Sequence, residues 1–148
     1  MAMSVRQLLD QARTFHHRMG EMCESMSRGT DPERVRLLLN YLSQHELKLE
    51  QSLQDYEKER SHNVLDHWLD FTPCESLDTF FEEHALKPGM PLSDIIRTVL
   101  QFDDCLIGFY RQVAEETVSE EVRNLFTHLV DQEESDKRKT ARGAAELE

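Results

Sequence analysis

The chain has 148 residues, with 17 Lys and Arg against 29 Asp and Glu, a formal net charge of −12 and 39% hydrophobic residues. Such a length suits one domain, 1–148, and the few glycines and prolines suit a helical globular chain rather than a disordered one. The acidic balance excludes nucleic acid, whose binding rests on neutralising phosphates, and favours cations or a basic protein partner.

The first predicted helix spans 4–27, with Val5, Leu8, Leu9, Ala12, Phe15, His16, Met19, Cys23 and Met26 on one face at helical spacing. "RGTDP" then breaks the chain, where Thr30 or Asp31 serves as N-cap and Pro32 fits the first turn of the next helix. That second helix is predicted over 32–69, on the stripe Val35, Leu38, Leu39, Leu42, Glu46, Leu49, Leu53, Tyr56, Val64 and Trp68. A straight helix of that length would reach about 57 Å. Its partners cannot cover so much, so its end is expected to overhang, bend or break near 60–63 ("RSHN").

A long crossover follows, "TPCESLDTFFEEHALKPGMP", with a short helix over 73–85 started by Thr72-Pro73 and ended by Pro88-Gly89. Ser93 is expected to cap the third long helix, 94–117, which carries Ile95, Ile96, Val99, Asp103, Leu106, Ile107, Tyr110, Val113 and Ala114 inward. Ser119 caps the fourth, 120–141, whose stripe is Val122, Leu125, Phe126, Leu129, Glu133 and Asp136. Residues 142–148 are expected to be a solvated tail, and Leu147-Glu148 reads as a cloning scar. Cys23, Cys74 and Cys105 lack CxxC spacing, and no stretch approaches the roughly 20 apolar residues of a membrane span. A reducing, cytoplasmic setting is therefore expected. All-α architecture follows, a four-helix bundle of two helix pairs joined by a long crossover.

The two halves repeat. Glu33, Val35, Leu38, Leu39, Leu42 and Glu46 of the second helix match Glu120, Val122, Leu125, Phe126, Leu129 and Glu133 of the fourth. The shared pattern is E-x-V-x-x-L-[LF]-x-x-L-x-x-x-E. Laying the first helix on the third matches Leu8 with Phe102, Ala12 with Leu106, Phe15 with Phe109 and His16 with Tyr110. With its crossover and this repeat, the chain resembles the rubrerythrin/ferritin-like group.

The resemblance implies a Glu on the first and third helices, seven residues before a Tyr, and Glu-x-x-His on the second and fourth, together holding two iron or manganese ions. Matched residue by residue, the third helix offers Asp103 with Tyr110 seven residues on, and the fourth offers Glu133 with Asp136 in the His position. The second keeps Glu46 but has Leu49 for the His. The first has Leu9 for the Glu and His16 for the Tyr. What survives is a carboxylate quartet, Glu46, Asp103, Glu133 and Asp136, with Tyr110 nearby. Without ligand imidazoles it suits Mg²⁺, Mn²⁺ or Ca²⁺ better than iron.

Buried carboxylates also have a metal-free solution, in protons, solvent or basic partners such as Arg13, Arg97, Arg111 or Lys137. His17-x-x-x-Glu21 has a spacing used in hemerythrin-like bundles but lacks their further His pairs. His62, His67, Cys74 and His84 match no standard zinc pattern. Trp68, Phe71, Phe80 and Phe81 form either a satellite core or a dimer surface. No nucleophile arrangement or phosphate-binding glycine loop is present. Two functional classes stay open. One is a non-catalytic bundle acting through protein contacts, as a homodimer, with its ancestral di-metal site decayed and no cofactor. The other is a metal-dependent oxidoreductase or metal-binding protein, using iron, manganese or another divalent ion on the carboxylate quartet.

Overall fold

The computed structural model describes residues 2–28, 33–60 and 62–147. In chain order these form strand β1 (Ala2–Ser4), helices α1 (Val5–Ser27), α2 (Glu33–Glu59) and α3 (His62–Leu65), strand β2 (Trp68–Asp70), and helices α4 (Leu77–His84), α5 (Leu92–Glu116) and α6 (Glu120–Leu147). The long helices α1, α2, α5 and α6 are those the apolar stripes predict. The expected caps of the second helix, Thr30 or Asp31 with Pro32, lie outside the described residues, as does Glu148. No helix among the described residues is long and apolar enough to cross a membrane.

Ser4 fixes where α1 begins. Its hydroxyl accepts from the Gln7 backbone N–H at 3.1 Å, while the Gln7 side chain accepts from the Ser4 N–H at 3.0 Å. Two backbone donors that a helix start leaves bare are thereby met.

The second helix stops at Glu59 instead of running to 69. Its stripe gives out there, because Glu57-Lys58-Glu59-Arg60 offers nothing apolar to bury. After α3 the chain comes back as β2, which pairs antiparallel with β1, Met3 opposite Leu69. The Val5 N–H adds a bond to the His67 carbonyl at 3.0 Å. Folding back buries Leu65 and Phe71, apolar area that a protruding helix would leave in water.

Three other boundaries also move. Ser76, not Thr72-Pro73, supplies the cap of α4, so that helix starts at Leu77. Pro91 rather than Ser93 caps α5, its carbonyl accepting from Asp94 and Ile95 at 3.0 and 3.1 Å. Ser119 caps α6 as expected, with the Val122 N–H donating to its hydroxyl at 3.3 Å. The supposed tail is helical to Leu147, because Thr140 and Ala144 are buried and Gly143 lies against Tyr41 of α2. A Cβ at Gly143 would stand 3.0 Å from the Tyr41 hydroxyl, so the glycine sets how closely the two helices approach.

Partners across the helices give the directions. Arg13 meets Glu57 while Gly20 lies by Ser43, so α1 and α2 are antiparallel. Lys137 meets Asp104 and Arg111 meets Glu134, which makes α5 and α6 antiparallel as well. The core runs through both pairs, with Leu8, Leu9, Met19, Leu38, Leu39, Leu42, Phe102, Leu106 and Phe126 all at most 1% exposed. The crossover helix α4 closes one side. Phe80 and Phe81 both lie 5.4 Å from the Phe102 ring, and Phe15 lies 5.5 Å from it. Three of the four aromatics expected to cluster therefore join the core, and Trp68 alone is left 58% exposed.

Phe102→Ala is expected to lower the free energy of unfolding by about 3–5 kcal/mol, since it empties a site enclosed by three rings. Trp68→Ala should change it by less than about 0.5 kcal/mol. Urea denaturation of the two variants beside the parent chain checks the contrast.

Candidate functional site

Each long helix sends at least one polar side chain into the middle of the bundle. These are His16 from α1, Glu46 from α2, Asp103 and Tyr110 from α5, and Glu133 from α6, all at most 5% exposed. His16 is the centre of the group. Its Nδ1 lies 2.5 Å from Glu46 Oε2, and its Nε2 lies 2.8 Å from Glu133 Oε1. A carboxylate only accepts, so a ring bonded to one on each side donates from both nitrogens and is an imidazolium. Burial by itself would lower the His16 pKa, but the charges of Glu133 and Glu46 and the bonds to them hold it well above the usual histidine value.

Asp103 sits beside this triad and takes the opposite course. Burial, then the charges of Glu46 and Glu133, push its pKa well above the ordinary carboxyl range, and His16 only partly offsets them. The centre thus holds an imidazolium bonded to Glu46 and Glu133, with Asp103 beside it pushed toward its protonated form. Two buried polar atoms of this centre have no protein partner, the Tyr110 hydroxyl and Glu133 Oε2.

Of the expected quartet, Glu46, Asp103 and Glu133 come together and Asp136 does not. Asp136 lies one turn further along α6, half-buried, where it lines a pocket of about 80 Å³ with Leu49, Ser52, Leu53, Tyr56, His128, Leu129, Gln132 and Glu133. Its pKa is raised by burial and by Glu133, against the pull of His45, Lys139 and His16. None of the expected basic partners enters the centre. Arg13 pairs with Glu57 and Asp10, Arg97 with Asp94, Arg111 with Glu134 and Lys137 with Asp104. His17 is likewise at the surface, pairing with Glu21 and Glu50. His84 stacks on the Phe80 ring at 4.1 Å.

Sequence reasoning missed the role of His16, which it set only in a tyrosine position. A signal was available, because a histidine on a fully apolar stripe faces whatever the other stripes carry, and two of those carry an inward Glu.

No family model matches the chain, and no curated protein matches it either. Among solved structures, it is similar over 99% of its length to 97% of a Thermotoga maritima protein described as a ferritin-like diiron-carboxylate protein, with a TM-score of 0.64 at 15% identity. The fold is ferritin-like.

A dinuclear metal centre can be tested against the residues of this ferritin-like bundle. Two ions shared between the second-helix and fourth-helix glutamates would need the space that the His16 ring fills, and the carboxylate oxygens that it holds. Leu9 and Leu49 have no donor atoms. Burial, with Glu46 nearby, pushes the Cys23 thiol up to about 12, so no thiolate replaces them. Among the described residues, no group of three or more His, Cys, Asp or Glu side chains is arranged to hold a metal ion. The residues do not fit a dinuclear centre.

The raised pKa values of His16 and Asp103 fix a sign for stability against pH. Both groups bind a proton more tightly folded than unfolded, so both stabilise the fold at low pH and lose that contribution as pH rises. For His16 the contribution is complete below the unfolded value of about 6.5 and disappears as pH rises through its folded value. Unfolding free energy measured by urea titration should therefore fall as pH rises above about 6.5, with His17→Gln as the control for the neighbouring exposed histidine. His16→Gln should remove most of that slope and cost about 3–5 kcal/mol at neutral pH by breaking a buried ion pair.

Proposed function

We propose that this chain is a non-catalytic ferritin-like bundle in which an imidazolium has taken over the work of the metal ions, and that it acts through protein contacts. The observation that carries the reading is His16, bonded on both sides to Glu46 and Glu133. In a bundle of this kind the inward glutamates need a positive charge between them, because carboxylates buried side by side repel. A protonated ring supplies it with no open coordination position, and hence with nowhere for a substrate to bind metal. Tyr110 and Asp103 then close the centre, leaving it a structural core.

A role in contacts, as a homodimer, is supported by the exposed large apolar residues. Leu37, Tyr41 and Leu47 stand 38–47% exposed on α2, and Trp68 stands beside the end of the same hairpin. Exposed aliphatic and aromatic side chains of this kind are typical anchors of an interface. The net charge of −12 would favour a basic surface on any different partner.

The carboxylate-only metal reading keeps one observation in its favour, the unpartnered Oε2 of Glu133. A single hard cation with retained waters needs only one or two carboxylates. Elemental analysis of the purified chain separates the two readings, joined with melting curves in Fe²⁺, Mn²⁺ and EDTA. The non-catalytic reading expects no stoichiometric metal and an unchanged melting temperature. A stoichiometric metal that disappears in Glu133→Ala would sink it. Light scattering at micromolar concentration should give twice the mass of the 17.4 kDa chain, and a monomer there contradicts the homodimer.

A further inference from the structure

The last turn of α2 is held by charge more than by packing. Beyond Leu53 no residue of α2 is fully buried, and the helix ends at Glu59. Glu57 ties that turn to α1. Its Oε2 accepts from Arg13 at 3.1 Å, and the same guanidinium reaches Asp10 at 3.3 Å. One carboxyl from each helix is thus drawn onto a single cation. The Glu57 side chain is 11% exposed and that of Asp10 44%, so a negative charge costs more at Glu57.

Glu57 Oε1 is buried and accepts no hydrogen bond. Yet an Asp10 carboxyl oxygen lies within hydrogen-bonding reach of the Glu57 carboxyl. Carboxylates only accept, so that approach becomes a bond when one of the two carries a proton. Burial and Asp10 push the Glu57 pKa up to about 7, against the pull of Arg13 and Arg6. Arg6 is itself paired with Asp66, and Arg60 lies 3.8 Å over the Tyr56 ring. Glu121 of α6 lines a pocket with Tyr56 and Arg60, while Lys58 and Glu59 are exposed. His67, on the turn between α3 and β2, has its Nε2 buried without a partner.

We propose that Asp10 and Glu57 share one proton, and that this acid pair, clamped by Arg13, is a pH-responsive latch between α1 and the last turn of α2. With the proton in place Glu57 donates to Asp10, and the group of two carboxyls and one guanidinium is neutral. Loss of the proton leaves two carboxylates on one cation, and their repulsion loosens the turn that leads into α3. The latch contributes fully below the ordinary Glu57 value of about 4.5 and is lost as pH rises through about 7. His16, whose pKa is held well above the usual histidine value by Glu133 and Glu46, keeps the centre bonded while the end of the first hairpin opens.

The test uses the full chain, in a carboxyl NMR titration and in amide hydrogen exchange about one pH unit below and above neutrality, corrected for intrinsic rates. The Glu57 carboxyl is expected to titrate near 7. Amides in the last turn of α2 and in α3 should lose protection about fivefold or more across that range, and those in the middle of α1 and α5 less. Glu57→Gln keeps a donor to Asp10 without a proton to lose, so it should hold the protected state at both pH values. Asp10→Asn donates to Glu57 instead of accepting, and should move its titration down by about one unit or more. A Glu57 titration below about 5.5 overturns the shared proton. Titration near 7 with no change in exchange, or the same loss of protection in Glu57→Gln as in the parent chain, overturns the latch. So does a pH response that disappears in His67→Gln, which assigns it to that ring.

Discussion

A single imidazole bonded to two buried carboxylates is the interaction on which the middle of this bundle depends. His16 comes from one helix, Glu46 from the next and Glu133 from the last. The ring therefore ties the first hairpin to the second at the level where polar groups would otherwise push them apart. Its worth comes from its surroundings. Phe15 packs on Phe102 and Tyr110 on Phe126, all four buried in the same core, and in so dry a medium a hydrogen-bonded pair is strong and an unpaired charge is costly.

Asp103 follows from that constraint. With one imidazolium already bonded to two carboxylates, a third buried negative charge has no counterpart, and the Asp103 pKa is driven up. Asp136 meets a milder form of the same problem further out, half-buried beside the pocket between α2 and α6, where burial and Glu133 raise its pKa.

The rest of the chain serves to seal the ends. The β1–β2 ribbon and α3 close one end where the second helix would have run into water, and α4 lays two phenylalanines across Phe102. At the opposite end of α2, the last turns of α6 pack on it through Gly143, Thr140 and Ala144. These devices matter in a chain of 148 residues, where surface is large relative to core and an uncovered helix end costs stability.

The sequence by itself determined the four long helices, the two pairs with their crossover, and the positions at which acid faces inward. Those are periodic features, set by which residues share a face of a helix, and such periodicity is recorded locally along the chain. The repeat of Glu46 in Glu133 was legible for the same reason. Only the tertiary structure decided that His16 fills the space between them, because those partners lie 30 and 117 residues away and no spacing rule links them. It likewise decided that the second helix ends at Glu59, that the last helix continues through Ala144, and that Asp136 leaves the centre. Each of these depends on what an element packs against, and stripes alone do not state how far a partner extends or which charge it brings.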